Sequence, residues 1–343
     1  MMRRLWPILI LTIVAISMVV HGSVAQQAEI KVVRIGTGPT GGSYFPIGGI
    51  IANLISSPPG SMACAAGGSC GVPGLIVSAI STEGSVENIV GLTASNLDMA
   101  LVQADVAKLA YLGQGPFSDE APHRKLRAIA SLHPEAVHVV TRASSGIDSI
   151  AKLRGKRVSL GARRSGTRVT AGMVLEGYGL NADAVVPVYE GLSRSADMLA
   201  DGEIDAFFMV GGYPMPAIQY AAEANSIRLL PVDGENADAL LARFPFFSRT
   251  VIPADTYHGI AATSTLSVRA NLVVDASMDE NLVYAVTKAL WLPENLQVLN
   301  RDLPENLRVG AKEAISGIAV PLHPGAARFY RDAGLPVDNV VSQ

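Results

Sequence analysis

Short runs of apolar residues alternate with amphipathic stretches along almost the whole chain. In the first part, the runs typical of buried strands are 30–35, 75–80, 98–102, 126–131 and 136–141. Helical patterns follow Ser43, Ser85 and Gln103. Because strands alternate with helices, the pattern predicts an α/β fold, in which mostly parallel sheets carry helices on both faces.

A second alternating set begins after residue 150. Its predicted strands are 157–160, 185–188, 206–210 and 228–232, with helices after Ser165, Leu192 and Met215. A β-rich segment, 263–274, and a helical pattern, 279–291, follow. The extended stretches 136–141 and 267–274 are placed to cross between two lobes as a hinge. We therefore expect a discontinuous lobe I, 30–140 and 262–343, and a lobe II, 141–261.

The start of the chain has the pattern of a secretory signal. Arg3 and Arg4 precede an apolar stretch, 5–20, and Ser23 and Ala25 are the small residues before a cleavage site. We expect a signal peptide at 1–25, export by the general secretory pathway, cleavage after Ala25 and a periplasmic product. The alternative is an uncleaved anchor, for which the stretch is short, since a span needs roughly 20 residues.

Composition narrows the class of protein. Of the 343 residues, 49% are hydrophobic and 17% are charged, which suits two domains and excludes wholesale disorder. The formal net charge of −3 becomes −5 when Arg3 and Arg4 are removed with the leader. No basic stripe is present, so we expect no nucleic-acid partner. We expect a monomer.

A glycine-rich turn, 36–42, joins the first predicted strand to the first helix. Such a turn leaves backbone N–H groups unpaired at the helix start and predicts an anion seat. Gly36, Gly38 and Gly41 match the dinucleotide motif G-x-G-x-x-G, but a lone match is weak and no acidic residue ends the next strand. Export also argues against a nucleotide and favours a carboxylate.

Other turns have similar chemistry. Ser85 is a candidate N-cap, and Ser165 to Thr167 open a helix behind Arg163 and Arg164, which add positive potential. Gln103 and Asp105 are placed to offer an amide and a carboxylate to a ligand that bears a cation. Tyr213 follows another strand. The alternatives are plain helix caps, solvated arginines and an ordinary turn.

No enzyme signature is present in the sequence. We find no G-x-S-x-G elbow, H-E-x-x-H motif, Walker loop or four-ligand metal spacing, and the histidines are scattered singly. We therefore expect no catalytic residue, cofactor or metal. The two cysteines, Cys64 and Cys70, lie in a glycine-rich loop of an exported chain, which favours a disulfide over free thiols or a metal site.

A series of motifs in one order resembles the TAXI family, the extracytoplasmic solute receptors of TRAP transporters. The motifs are the leader and the segments 35–45, 84–88, 153–158, 165–167, 201–206 and 321–326. The resemblance covers nearly the whole mature chain. It implies a type II-like periplasmic-binding-protein fold of two lobes joined by a β-strand hinge.

The resemblance also implies a function and a ligand set. The protein would bind a glutamate-like amino acid or a dicarboxylate between its lobes, without catalysis, and deliver it to a TRAP permease with fused small and large subunits. The implied ligand contacts are Thr37, Gly38, Thr40, Gly41, Gly42, Ser43, Tyr44, Ser85, Glu87, Asn88, Gln103, Asp105, Ser165, Gly166, Thr167 and Tyr213. Arg164 is a further candidate contact that departs from the family, which often has a smaller residue there, and it could select a doubly charged acid. Alternatives are the receptor of an ATP-driven importer and a secreted enzyme on the same fold, with Asp105 or Glu87 as its acid or base.

Overall fold

A computed structural model describes residues 30–224, 226–301 and 303–337. The predicted secretory leader and its cleavage site lie outside the described residues. Within the described residues, no helix combines the length and the apolar character that crossing a membrane requires.

Strands and helices alternate through these residues. The strands are β1 (Lys31–Gly36), β2 (Ser56–Ser57), β3 (Val72–Pro73), β4 (Leu75–Ile80), β5 (Met99–Gln103), β6 (Leu126–Arg142), β7 (Arg157–Ser159), β8 (Val186–Val188), β9 (Ala206–Gly211), β10 (Ile227–Leu229), β11 (Ser248–Ile252) and β12 (Thr263–Asp275). The helices are α1 (Tyr44–Ile55), α2 (Ser85–Thr93), α3 (Ala104–Leu112), α4 (Gly166–Gly177), α5 (Leu192–Ala200), α6 (Pro216–Ala224), α7 (Gly234–Arg243), α8 (Glu280–Leu290), α9 (Pro293–Asn300) and α10 (Pro324–Asp332).

The sheet is parallel at its two ends and antiparallel in its middle. Its order is β4-β1-β5-β12-β6-β9-β7-β8, with β10 beside β6 and β11 beside β12. Strands β4, β1 and β5 are parallel, as are β8, β7 and β9. Between them, β12 and β6 run antiparallel to each other and to their outer neighbours. The α/β prediction is confirmed, with a mixed rather than a mostly parallel sheet.

The two lobes share one continuous sheet, because the two long strands β6 and β12 join its parallel ends. The predicted strands 126–131 and 136–141 are one strand, β6, in which His133, Pro134 and Glu135 continue the extended backbone. Pro134 lies opposite Arg269 of β12, beside a register shift between Arg269 and Asn271. Polar residues and a proline in mid-strand had the pattern of a break, but pairing with β12 holds this segment in the sheet.

Buried apolar side chains form separate cores at the two ends of the sheet. The largest core combines β1, β4, β5 and the first part of β6 with the end of β12 and the C-terminal helices. Two others cover opposite faces of the far end: Val137 and Val139 of β6 point into one, and Ala136 and Val140 into the other. The molecule therefore has two lobes, which β6 and β12 connect.

Local patterns place most elements within about three residues of their predicted positions, but β2, β3, α7, β11, α9 and α10 are additional. The N-cap of α2 is Gly84 rather than Ser85. Gly84 has φ of 123°, in the region that favours glycine, and this conformation carries the chain from β4 into the helix. Cys64 and Cys70 are joined by a disulfide in the loop between β2 and β3.

Candidate ligand-binding site

A cavity of about 60 Å³ lies between the two lobes. This is several times the ~10–15 Å³ that one water molecule needs, so the cavity can hold part of a small solute. Its wall consists of Gly38, Pro39, Gly42, Ser43, Tyr44, Glu83, Gly84, Ser85, Gln103, Glu135, Gly161, Ala162, Ser165, Gly166, Thr167, Glu190, Gly191, Leu192, Phe208, Met209 and Val210. Most of these residues follow the carboxyl ends of strands, where α/β folds place ligands.

Five helices begin at this cavity. The N-caps of α1 to α5 are Ser43, Gly84, Gln103, Ser165 and Gly191, and all five residues belong to the wall. Three come from the first lobe and two from the second. The first N–H groups of a helix have no partner within the helix, and the helix dipole adds positive potential there. The arrangement can therefore stabilise an anion without a basic side chain.

The lobes approach each other closely at Gly166. A Cβ atom at this position would lie 2.1 Å from Oε1 of Gln103 and 2.8 Å from Oγ of Ser85, both on the opposite lobe. Both distances are shorter than van der Waals contact, so a side chain at this position would require Gln103 and Ser85 to shift. The backbone N–H of Gln103 donates to Oγ of Ser85 at 3.1 Å, which fixes the two first-lobe helix starts relative to each other.

A buried carboxyl group, Glu135 of β6, forms the deep part of the wall. The hydroxyl of Tyr44 donates to Oε2 of Glu135 at 2.7 Å. Burial, with a further contribution from the charge of Asp105, raises the pKa of Glu135 to about 8. Burial also raises the pKa of Tyr44 well above its usual value. Glu135 was not among the residues predicted from the sequence.

His133 lies behind Glu135 in the same strand. Its Nε2 atom is 4.0 Å from Oε1 of Glu135, beyond hydrogen-bond distance. Burial, and to a lesser extent the charge of Arg269, lowers the pKa of His133 to about 3, so the imidazole is neutral. Among the described residues, neither ring nitrogen of His133 has a hydrogen-bond partner.

Asp105 differs from its expected place in the site. It is fully buried but is not part of the cavity wall, and its Oδ2 accepts a hydrogen bond of 2.6 Å from the hydroxyl of Thr170. Because Asp105 is in α3 and Thr170 is in α4, this bond joins the two lobes. Burial raises the pKa of Asp105 to about 6, although hydrogen bonds from Thr170 and Val106 act against that rise.

Arg164 also lies outside the wall. Its Nη2 atom is 2.8 Å from Oε1 of Glu87 and its Nε is 3.8 Å from Oε1 of Glu83, both on the first lobe. Two backbone contacts accompany the ion pairs: the N–H of Arg164 donates to Glu83, and the N–H of Glu87 donates to the carbonyl of Arg164. Arg164 therefore bridges the rim of the closed cleft, and Arg163 packs over Tyr189 at 4.6 Å.

The structure brings part of the predicted ligand set into one wall. The members found there are Gly38, Gly42, Ser43, Tyr44, Ser85, Gln103, Ser165, Gly166 and Thr167. Those outside it are Thr37, Thr40, Gly41, Glu87, Asn88, Asp105, Arg164 and Tyr213.

Several of the outer residues support the wall. The amide of Asn88 donates to the carbonyls of Thr37 and Leu101 at 2.6 and 2.7 Å and so ties the end of β1 to β5. The hydroxyl of Thr37 donates to the carbonyl of Ile80 at 2.7 Å. Tyr213 donates to the carbonyl of Val251 at 3.3 Å, and β9 presents Phe208, Met209 and Val210 to the cavity in place of that tyrosine.

The chain is similar in architecture to solved binding proteins at low identity. One is the alkanesulfonate-binding protein SsuA of Xanthomonas axonopodis pv. citri bound to MOPS (15% identity, TM-score 0.49, 91% of this chain and 83% of that chain). Another is a putative L-cystine ABC transporter of Listeria monocytogenes (13% identity, TM-score 0.47, 82% of this chain and 99% of that chain). These values say nothing about the ligand of the present chain.

The architecture consists of two α/β lobes that β6 and β12 connect. The family model that matches residues 35–334 is described as the NMT1-like family. No comparison is specific to the TAXI family, so that finer assignment stays a hypothesis. Because the match covers most of the 343 residues, the chain belongs to the NMT1-like family.

Proposed function

We propose that the protein is an extracytoplasmic solute receptor that binds a small carboxylated solute, a glutamate-like amino acid or a dicarboxylate, between its lobes. The observation that supports this proposal is the meeting of five helix N-caps at one interlobe cavity. A carboxylate placed there accepts hydrogen bonds from both lobes only when the cleft is closed. Ligand then stabilises the closed form through its higher affinity for that form.

The proposed lobe boundaries are 30–140 with 262–343, and 141–261. The proposed location is the periplasm, reached through the predicted leader. The protein itself catalyses nothing in this proposal, because its role is to capture a solute and present it to a membrane permease.

The permease is a separate part of the proposal. The family model carries no TRAP-specific description, and the solved structures whose titles name a transporter name ABC-type systems. An ATP-driven importer is therefore our first partner hypothesis, and the TRAP permease implied by the TAXI-like motif series is the second. Uptake in cells or vesicles distinguishes them, since loss of ATP stops the first and collapse of the ion gradient stops the second.

Thermal-shift screening of the purified protein tests the binding proposal. The panel contains dicarboxylates, acidic and neutral amino acids, neutral sugars and simple cations. At least one carboxylated compound is expected to raise the melting temperature, because a ligand that binds only the folded state stabilises it. If only a sugar or a cation does so, the carboxylate proposal is wrong.

A further inference from the structure

The helix starts of the cavity wall suit an anion, but its charged side chains are all acidic. The wall contains three carboxyl groups, Glu83, Glu135 and Glu190, and none of its residues is lysine, arginine or histidine. Glu83 is paired with Arg164 at the rim, and Glu190 is exposed. Glu135 differs from both because it is 1% exposed. Among the described residues, the basic side chain that lies within 4.0 Å of its carboxyl group is His133, which is neutral.

The same wall contains a buried acceptor, the side-chain oxygen of Gln103, that has no hydrogen-bond donor within the part of the chain that the structure describes. Gln103 is 3% exposed, and no described residue donates a hydrogen bond to its Oε1 atom. This oxygen faces Gly166, at the point where the lobes meet. The hydroxyl of Tyr44 bonds Glu135, and the hydroxyl of Ser85 bonds the N–H of Gln103, so short contacts hold both acceptors at the helix starts.

A ligand with carboxylate groups alone leaves this part of the wall unsatisfied. An unpaired buried acceptor costs about 1–3 kcal/mol, and a carboxylate group has no N–H donor to offer it. A protonated amino group provides three N–H donors and one positive charge, which match the oxygens of Glu135 and Gln103.

We propose that Glu135 and Gln103 form a subsite for the ammonium group of the ligand, which is therefore an amino acid rather than a dicarboxylate. The inference rests on the proposed function, because the helix starts hold the ligand's carboxylate while this subsite holds its amino group. Glu135 and Gln103 are then the residues that determine specificity.

Matched ligand pairs test the inference on the unmodified protein. Calorimetry would compare glutamate with glutarate, aspartate with succinate, and leucine with 4-methylpentanoate, since the members of each pair differ in the amino group. At least one amino acid is expected to bind, with its deaminated partner at least about 100-fold weaker, because a site built to bond an N–H group discriminates strongly against its loss.

Two variants then locate the subsite. Glu135→Gln and Gln103→Met are each expected to weaken amino-acid binding by at least about tenfold, which corresponds to about 1.4 kcal/mol, and to narrow the gap within the pair. The matched control is Glu294→Gln on the exposed start of α9, outside the wall. It is expected to change neither the affinity for the amino acid nor the difference in affinity within each ligand pair. Circular dichroism and melting curves establish that each variant folds, and the unmodified protein provides the test if one does not.

The outcomes separate the inference from the function on which it rests. If a deaminated acid binds as tightly as its amino acid, or if both folded variants keep the full discrimination, the ammonium subsite is wrong and the receptor proposal stands. If an acid binds only with an added metal cation, and Glu135→Gln removes that requirement, the subsite holds a metal and our assignment is wrong. If no carboxylated compound binds, with or without its amino group, the proposed function itself fails.

Discussion

The two lobes meet through an interior set of contacts and a rim set, which differ in burial. In the interior, the hydroxyl of Thr170 donates to the fully buried Asp105, and Gly166 packs against Gln103. At the rim, Arg164 pairs with Glu83 and Glu87, whose side chains are 42% and 27% exposed, while Arg164 is 49% exposed. The interior set joins the start of α4 to the start of α3, and the rim set joins the turn before α4 to the start of α2.

Burial decides how much each set contributes to closure. A buried donor or acceptor that loses its partner costs about 1–3 kcal/mol, because water cannot replace the lost bond. Exposed ion pairs contribute about 0–1 kcal/mol and are screened by salt. The interior set therefore specifies the closed geometry. The rim set adds a small, salt-dependent contribution to the free energy of closure. The predictions below test that ranking.

Adding a side chain at Gly166, where the lobes are packed closely, is expected to have the largest effect on ligand affinity. In Gly166→Ala, the new methyl group must displace the amide of Gln103 into the cavity or hold the lobes apart. Overpacking of this kind costs about 1–3 kcal/mol, so ligand affinity should fall roughly 5- to 150-fold in calorimetry. The control is Gly172→Ala in the same helix, where a Cβ atom meets nothing within 4 Å. Equal affinities for the two variants would contradict the close-approach argument.

Removing the interior hydrogen bond is expected to have the next largest effect. Thr170→Val keeps the side-chain shape but leaves Asp105 without its donor from the opposite lobe. Ligand affinity should fall about tenfold, since the lost bond is buried. Thr170→Ser keeps the hydroxyl and should restore most of the affinity. A Thr170→Val protein that binds as tightly as wild type would show that this bond does not stabilise closure.

A pH titration of the ligand-free protein tests the interior carboxyl groups. Glu135, which Tyr44, Asp105 and His133 surround, has its pKa raised from 4.5 to about 8. Between these values the folded state holds a proton that the unfolded state has lost, so the unfolding free energy falls as pH rises. Asp105, with a pKa raised to about 6, acts in the same direction below that pH.

In the window from pH 6 to 8, Glu135 lowers the unfolding free energy as pH rises, whereas the buried His133 and His138, whose pKa values are lowered to about 3 and about 4, raise it, because only the unfolded state releases their protons there. The contribution of Glu135 is therefore the difference between wild type and Glu135→Gln in chemical denaturation, which we expect to change by about 1–2 kcal/mol across this window. In Glu135→Gln this part of the slope should disappear. An identical pH dependence in the variant and in wild type would contradict the buried position of this carboxyl group.

The sequence predicts the parts of the site that depend on local structure. Ser43, Gln103 and Ser165 are found at helix starts because a strand that ends before an amphipathic stretch fixes the position of the next N-cap. The turns then meet because the carboxyl ends of parallel strands lie along one edge of a sheet. Local sequence patterns therefore predict the wall residues that lie at the starts of helices following parallel strands.

The rest of the site depends on contacts between residues that are far apart in the sequence. Glu135 is 91 positions from Tyr44, its hydrogen-bond donor, and is part of a strand whose apolar pattern breaks at this point. A single acidic residue beside a proline gives no local signal for a buried site. Arg164 follows a glycine-rich turn, as an anion-binding arginine would, but Glu83 and Glu87 of the other lobe engage it at the rim.

The smallest effect is expected at the rim. Arg164→Gln removes both ion pairs but keeps the two backbone bonds between the lobes, so affinity should fall by no more than about fivefold. The loss should shrink further at high salt, because exposed pairs are already screened there. Arg163→Gln is the matched control, since it removes the same charge from a side chain that packs on Tyr189 of its own lobe. If Arg164→Gln weakens binding more than Thr170→Val, and does so equally at low and high salt, the ranking is reversed and closure depends on the rim.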